Sequence, residues 1–209
     1  MLLTAFPSGP FATNAYLLQC KQTGQAAIFD PAPGSAQDLK WATAQLYIKK
    51  ILLTHSHWDH IGDLAELKKY WDVPVYVHEL DAANVFNPGS DGLPMMMPIE
   101  GVQVDGFLED GQQIQVGALL IQVIHTPGHT PGGVCFYLKE QGILLSGDTL
   151  FKGSIGNLSF STANPDAMWT SLKKLAKLPS DTKVYPGHGE PTMIGKETWL
   201  ENAKEVFTC

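Results

Sequence analysis

The chain has 209 residues, 44% of them hydrophobic and 17% charged, which predicts one globular domain over residues 1–209 with enough apolar material for a full core. Its net charge is −7, and all 14 basic residues are scattered lysines. This composition argues against a basic nucleic-acid-binding surface and excludes any two-point arginine grip on a carboxylate or phosphate.

The first residues of the chain and its cysteines indicate the cellular compartment to expect. Residues 1–7 have neither the basic start nor the long apolar run of an export signal, and no stretch has the length of a membrane span. Cys20, Cys135 and Cys209 are far apart and odd in number, which fits reduced thiols. We expect a cytoplasmic protein that binds no membrane, and the sequence leaves its oligomeric state open.

The first strands are predicted over residues 14–20 and 26–30. Asp30 ends the second of them and precedes a sharp Pro-Ala-Pro-Gly exit. Its carboxylate either orients a ligand imidazole from behind or simply starts the turn, and the sequence does not separate these readings. A helix is predicted over residues 35–46, with Ser35 as its N-cap.

Next, the apolar run at residues 51–53 predicts a buried strand, and an apolar stripe over residues 61–71 predicts a helix. Between them stands the stretch Thr54-His55-Ser56-His57-Trp58-Asp59-His60. It concentrates three imidazoles and one carboxylate at the point where a strand ends and a helix begins.

The spacing within this stretch indicates two metal ions. His55 and His57 point to the same side of an extended chain, whereas Asp59 and His60 lie on the first helical turn and face a second point. Zinc, iron and manganese accept imidazole and carboxylate ligands. Two neighbouring ions therefore fit these four residues better than one.

A strand is predicted over residues 73–77, followed by His78, which we expect to be structural. Residues 81–106 have little periodicity and are predicted to form a long loop. Its run Met95-Met96-Met97 is either an apolar substrate wall or packing beneath the loop.

The second half repeats the alternation of strands and polar strand ends. Strands are predicted over residues 113–116, 119–124, 134–138, 143–146 and 183–185, and helices over residues 165–177 and 196–206. His129 lies at the apex of a rigid Pro-Gly turn and is the expected ligand, whereas His125 is expected in the core or behind a ligand. Asp148 follows one strand, and His188 lies at the tip of the last turn.

Candidate ligands thus follow four separate strand ends. No single loop spans such separations, so the sheets must bring these ends together. Strands in both halves with helices between and after them predict an α/β fold, two mixed sheets packed face to face with helices on the outer faces.

In their order and spacing, these motifs resemble the metallo-β-lactamase superfamily, whose His-x-His-x-Asp-His signature stands here at His55 to His60. The likeness also takes in Asp30 and the motifs Pro-Gly-His-Thr, Gly-Asp-Thr and Pro-Gly-His-Gly, and so covers nearly the whole chain. It implies an αββα sandwich.

The resemblance also implies a ligand set for two ions. The first ion would be held by His55, His57 and His129, and the second by Asp59, His60 and His188. Asp148 would bridge both ions, and Asp30 would steady a ligand histidine.

Within the superfamily the chain is most similar to the short bacterial form of the glyoxalase II group. Secreted β-lactamases of this fold generally carry a Cys at the position of Asp148 and an export signal, and the nucleases add domains and basic surfaces. Persulfide dioxygenases carry Gly-Arg-Thr-Asp where residues 156–159 read Gly-Asn-Leu-Ser. These differences argue against all three classes.

The expected substrate contacts differ from those of long glyoxalase II enzymes, which hold glutathione with a Lys, a Tyr and a C-terminal helical domain. Asn157 and Ser159 stand in the corresponding stretch, and the chain extends little beyond His188. Asn157 is a candidate substrate contact. Lys152 either replaces the missing positive charge or is a solvated surface residue.

The resemblance predicts a dinuclear-metal thioester hydrolase, with hydroxyacylglutathione (S-lactoylglutathione) as the leading small-molecule substrate. We expect two divalent ions, zinc in preference to iron or manganese, to share a hydroxide that attacks the thioester carbonyl, with Asp59 and Asp148 as catalytic carboxylates. The alternatives are a mononuclear-iron oxidoreductase resembling persulfide dioxygenases, a metallohydrolase of another small ester, and a binding module without catalysis.

Overall fold

A computed structural model describes residues 1–207, and within them twelve strands form two mixed six-stranded sheets. The first sheet contains, in spatial order, β1 (Leu2–Ser8), β2 (Thr13–Gln19), β3 (Gln25–Phe29), β4 (Tyr47–Leu52), β5 (Val75–His78) and β6 (Gly106–Leu108). The second contains, in spatial order, β12 (Thr192–Met193), β11 (Lys183–Pro186), β10 (Ile143–Gly147), β9 (Val134–Leu138), β8 (Leu119–His125) and β7 (Gln113–Val116). Cys20 and Cys135 are buried free thiols, and Cys209 lies outside the described residues.

The sheets pack face to face, and helices cover both outer faces. The helices are α1 (Ala36–Ala42), α2 (Trp58–Ile61), α3 (Leu64–Trp71), α4 (Glu79–Phe86), α5 (Pro165–Leu175) and α6 (Ala203–Phe207). Buried side chains of α1, α3 and α4 pack with the first sheet, and those of α5 and α6 with the second. The architecture is the αββα sandwich. None of the helices in residues 1–207 has the length and apolarity needed to cross a membrane.

Strand β2 shows how the sequence specifies these layers. Its successive side chains alternate between the two faces, so Leu17 joins the core under the helices and Leu18 joins the core between the sheets. Because both faces are covered, the strand is buried almost throughout. Between the sheets, the rings of Phe29 and Phe136 pack with centroids 5.0 Å apart. Burying each such side chain contributes about 1.5–3 kcal/mol.

Most predicted strands are confirmed, but the helices near the histidine stretch differ from expectation. The helix predicted over residues 61–71 is divided, because the chain turns at Gly62 and Asp63 between α2 and α3. Ser35 precedes α1 but makes no capping bond, and its buried hydroxyl has no hydrogen-bond partner. Instead, a carboxylate oxygen of Asp63 accepts a hydrogen bond from the backbone N–H of Ala36 at 2.7 Å. Helix α1 also ends earlier than predicted, at Ala42.

Two further predictions of secondary structure were wrong. Residues 81–106 were predicted to form a loop, but the first of them belong to α4 and the last, Gly106, begins β6. The Nδ1 atom of His78 caps the start of α4. The final helix predicted over residues 196–206 is replaced by two short 3₁₀ turns and α6. The buried Glu197 explains this break, because its carboxylate accepts hydrogen bonds from Gly153, Thr192 and Trp199.

Candidate metal centre

The seven candidate ligands meet where strands of both sheets end. The loop after β4 provides His55 and His57, and helix α2, which follows it, provides Asp59 and His60. The turn between β8 and β9, the end of β10 and the turn after β11 provide His129, Asp148 and His188. The structure therefore brings together every candidate ligand that the sequence analysis selected.

Their donor atoms form three overlapping groups, and within each the candidate ligand atoms lie within 4.8 Å of one another. Two of the groups share no residue: His55, His57 and His129 form the first, and Asp59, His60 and His188 form the second. These are the two triads implied by the family resemblance. The third group, His55, His60 and Asp148, connects them.

Asp148 lies between the triads. Its Oδ2 atom is 3.4 Å from Nε2 of His129 in the first triad and 3.4 Å from Nε2 of His188 in the second. Its Oδ1 atom is 3.4 Å from Nε2 of His60. This carboxylate is placed to contact two cations at once.

Four buried donor atoms in the cluster have no hydrogen-bond partner in the described part of the chain. They are Nε2 of His55, His57 and His129, and Oδ1 of Asp148. Buried polar atoms are normally paired, and leaving one unpaired costs about 1–3 kcal/mol. Converging lone pairs without protein partners are what a pair of bound cations would satisfy, so these residues fit the metal centre that the family implies.

Asp30 sets the orientation of two of the histidines. Its Oδ2 atom lies 3.0 Å from Nδ1 of His60 and accepts a hydrogen bond from the hydroxyl of Thr54 at 2.6 Å. The Thr54 oxygen in turn lies 3.0 Å from Nδ1 of His55. Since Thr54 donates to Asp30, it accepts from His55, and both imidazoles carry a proton on Nδ1. The network thus makes Nδ1 the outward donor of each ring and directs Nε2 toward the other candidate ligands.

Backbone carbonyls orient two more histidines in the same way. Nδ1 of His129 lies 2.9 Å from the carbonyl oxygen of Asn157, and Nδ1 of His188 lies 3.2 Å from that of Phe11. A carbonyl can only accept, so both rings donate from Nδ1 and direct Nε2 toward the ligands. Asn157 therefore acts on the centre through its backbone.

The electrostatics of the centre favour cations. Burial, with the nearby His129, lowers the pKa of His57 to about 3, so this ring is neutral at pH 7. Burial alone would raise the pKa of Asp59, but His60 and His188 hold it at about 2. Burial likewise opposes protonation of His188, yet Asp148 and Asp59 raise its pKa to about 9. The pKa of Asp148 is also held well below its usual range by His60 and His188, against the effect of burial. The ionised carboxylates of Asp59 and Asp148 thus attract positive charge to the place where the imidazole nitrogens converge.

The close approach of the loops requires glycine at residue 187. A Cβ atom at Gly187 would collide with Oδ1 of Asp148 and lie 2.8 Å from Cε1 of His60. The Pro-Gly-His-Gly turn can therefore bring His188 against the other ligands only because its second residue has no side chain.

Asp81 is a residue that the sequence analysis did not select. Its buried carboxylate accepts hydrogen bonds from the backbone N–H of Ser56 at 2.9 Å and of Gly132 at 2.7 Å. It therefore joins the loop that carries His55 and His57 to the turn that carries His129. The only sequence signal was an acidic residue shortly after a strand, which resembles an ordinary first-turn acid of a helix.

Asn84 was also missed. Its side-chain nitrogen donates to the Ser56 carbonyl at 2.9 Å and to Asp91 at 3.0 Å, and its oxygen accepts from Gly89 N–H at 2.9 Å. Asp91 then accepts from Leu93 N–H at 3.0 Å. This buried amide fixes the start of the methionine-containing loop to the histidine loop.

His78 and His125 lie outside the ligand groups. Their rings stack with centroids 4.1 Å apart and an angle of 9° between the planes. His78 caps α4, and Nε2 of His125 lies 3.1 Å from the carbonyl oxygen of Pro131. Both histidines have structural contacts.

A cavity of about 540 Å³ opens over the candidate ligands. Its lining includes five of them, together with Asn157, and is otherwise apolar: Phe11, Trp58, Leu93, Pro94, Met95, Met96, Phe151 and Phe160. Lys152 does not line it; its ammonium group pairs with Glu190 at 2.7 Å on the exposed surface.

Comparisons with known proteins agree with this geometry. A family model described as the metallo-beta-lactamase superfamily matches residues 8–188. The hydroxyacylglutathione hydrolase GloC of Haemophilus influenzae is 31% identical, over 94% of this chain and 95% of its own. The crystal structure of the BLEG-1 B3 metallo-beta-lactamase matches with a TM-score of 0.86 and 34% identity, over 94% of this chain and 96% of that one. That of TTHA1623 in a di-iron-bound form matches with a TM-score of 0.80 and 38% identity, over 93% and 96%.

Proposed function

Since the chain belongs to the metallo-beta-lactamase superfamily and is a metallo-hydrolase, we propose that it hydrolyses acyl thioesters at a centre for two divalent cations. The observation that carries this proposal is the convergence of unpaired buried donors from His55, His57, His129 and Asp148 beside the second triad. Hydroxyacylglutathione is the substrate suggested by the glyoxalase II resemblance and by the name of the Haemophilus relative.

The two triads have separate parts in this proposal. His55, His57 and His129 would hold one cation, Asp59, His60 and His188 the other, and Asp148 would contact both. Bound divalent cations would supply Lewis-acid polarisation of a carbonyl and a lowered pKa of water, from about 15.7 toward roughly 7. Zinc is the proposed metal, with iron and manganese as alternatives, and the di-iron form of TTHA1623 makes iron a required arm of the test.

Asp59 has a second proposed role. The hydroxyl of Thr13 donates to its Oδ2 atom at 2.8 Å and fixes that carboxylate oxygen. Asp59 ionises with a pKa of about 2, so it can accept a hydrogen bond from an attacking water throughout the neutral range. A thiolate leaves at neutral pH without a strong acid, because the pKa of an ordinary thiol is about 8.5. The residues present therefore suffice for thioester hydrolysis without a further protein acid.

The test is to count bound metals by mass spectrometry and to assay the same sample against a thioester panel that includes S-lactoylglutathione, with a β-lactam as a separate arm. We expect thioester turnover proportional to the occupancy of two ions. A single bound iron with oxygen consumption on persulfides would replace the hydrolase with the iron-oxidoreductase alternative. Two ions with β-lactam turnover and inert thioesters would reject the proposed substrate class.

A further inference from the structure

The residues that line the cavity over the candidate ligands indicate how polar a substrate can be, which the candidate ligands alone do not. Apart from the candidate ligands, Asn157 and the indole N–H of Trp58 are the side-chain polar groups among its lining residues. The Oδ1 atom of Asn157 already accepts a hydrogen bond from Ser159 N–H at 2.8 Å. The lining thus leaves little side-chain polarity for a substrate beyond two N–H donors, the amide nitrogen of Asn157 and the indole nitrogen of Trp58.

Aromatic rings flank both triads. The ring of Phe160 lies 5.4 Å from that of His57 and 5.7 Å from that of His129, beside the first triad. The ring of Phe151 lies 5.8 Å from that of His188, beside the second. Whichever triad polarises the carbonyl, an aromatic ring therefore lies beside it.

The mouth of the cavity is apolar and exposed. Phe11 is 52% exposed and Met96 is 66% exposed, and both line the cavity. Exposed apolar side chains around a concave site are typical of a surface that covers an apolar ligand. We call Met95 and Met96 the methionine wall of the cavity. Hydrogen bonds of Asn84 to Ser56 and Asp91 connect the loop that carries this wall to the histidine loop, so the wall is part of the folded structure.

Among the described residues no lysine lines the cavity, and the chain contains no arginine. Lys152, which is adjacent to the lining residue Phe151, pairs instead with Glu190. Glutathione has two carboxylates, and a carboxylate placed against this lining would lose hydration without gaining a side-chain cation from it. This counts against a glutathione grip even where the thioester chemistry is retained.

On the basis of the proposed thioesterase function, we propose that the site selects thioesters that are uncharged and apolar on both sides of the carbonyl. The apolar rings and methionines would bind the acyl chain, and the thiol half would be neutral. Hydroxyacylglutathione, which the glyoxalase II resemblance and the name of the Haemophilus relative suggest as the substrate, would then be a poor substrate of the same centre.

The first experiment compares substrates with the full metal-loaded protein. A series of acetyl, butanoyl and hexanoyl thioesters of N-acetylcysteamine varies only the apolar chain, and S-lactoylglutathione is the charged comparison. Each buried methylene should raise kcat/KM by up to about fourfold, and the hexanoyl ester should exceed S-lactoylglutathione at least about tenfold. A flat series together with a preference for S-lactoylglutathione would overturn the proposed selectivity.

A charge variant tests the wall itself. Met96→Lys places a cation at the mouth and should shift the kcat/KM ratio toward S-lactoylglutathione by about tenfold, by both losing apolar contact and gaining an ion pair. Met97→Lys is the matched control, because Met97 is the next residue but does not line the cavity. Equal ratios for the two variants and the unmodified protein would contradict the assignment of this wall to the substrate.

Equilibrium binding separates this inference from the proposed function. Titration calorimetry would compare two thioethers that cannot be hydrolysed and share the same alkyl group, S-hexyl-N-acetylcysteamine and S-hexylglutathione. We expect the neutral thioether to bind at least about tenfold more tightly, and equal or reversed affinities would reject the apolar selectivity. If no thioester is hydrolysed but the neutral thioether binds preferentially, the thioesterase proposal fails while the apolar character of the site stands.

Discussion

The carboxylate of Asp30 lies 3.0 Å from the Nδ1 atom of His60, and both side chains are buried. Asp30 also accepts hydrogen bonds from the backbone N–H and the hydroxyl of Thr54. One carboxylate therefore satisfies three donors and orients two candidate ligands, His60 directly and His55 through Thr54. Of the two readings that the sequence left open, the contacts of Asp30 are those of a residue that orients ligands.

Asp30→Asn is expected to weaken metal binding by about 10–100-fold, because an amide has one acceptor oxygen in place of two and cannot satisfy all three donors. The positive φ of 46° at this position is compatible with asparagine, so the backbone is preserved. Competition with a chromogenic chelator measures the affinity. The exposed Asp38→Asn is the control, and equal affinities for the two variants would contradict the orienting role.

Asp81→Asn is expected to lower metal occupancy at the three-histidine group while leaving the second triad largely filled. The reason is that Asp81 joins the loops that carry His55, His57 and His129, and does not contact the second triad. Mass spectrometry should show the metal count falling from two toward one. Glu79→Gln, an exposed change on the same helix, should retain both ions. A full metal count in Asp81→Asn would show that the hydrogen bonds of Asp81 to the two loops are not needed for metal binding.

Asn84→Ala should release the loop that bears Met95 and Met96 and raise KM for apolar thioesters about tenfold, with a smaller change in kcat. The variant loses the hydrogen bonds to Ser56, Gly89 and Asp91 but removes no candidate ligand. Steady-state kinetics with the hexanoyl ester measure the changes in KM and kcat separately. Asn87→Ala, an exposed substitution in the same loop, is the control; a kcat loss with unchanged KM would assign Asn84 to the centre rather than to the wall.

The sequence could indicate which residues meet at the candidate centre because much of that signal is local. His55, His57, Asp59 and His60 occupy one strand-to-helix junction, and His129 and His188 lie in short turns rich in Gly and Pro, whose geometry depends on neighbouring residues. The buried polar side chains that connect separate loops, Asp81 and Asn84, could not be predicted in this way. Asp81 acts on residues about 25 and 51 positions away, so its role depends on how the sheets pack.

The errors in secondary structure have the same cause. Ser35 has the residue type of an N-cap, but the acceptor for Ala36 comes from Asp63, far along the chain. Residues 196–206 were predicted to form one helix, whereas the buried contacts of Glu197 divide that segment. In both places hydrogen bonds between distant residues override a local preference for a helix or its N-cap, which is worth only about 1 kcal/mol of stability.

The last prediction concerns pH and the stability of the protein after its metals are removed with a chelator. His188 has a pKa raised from 6.5 to about 9 by Asp148 and Asp59 against the effect of burial. Its contribution, about 3 kcal/mol on the scale of 1.36 kcal/mol per pH unit, is full below pH 6.5 and is lost as the pH rises through 9.

His57 acts in the opposite direction, because burial and His129 lower its pKa to about 3. As the pH falls from 6.5 toward 3, the unfolded chain gains this proton first and the folded state loses stability. The urea midpoint of the chelated protein should therefore be highest near pH 6.5 and fall at both pH 5 and pH 9.5. His188→Gln should reduce the alkaline loss while retaining the acid one. A midpoint that rises steadily from pH 6.5 to 9.5 in the unmodified chain would show that His188 is not held protonated by the two carboxylates.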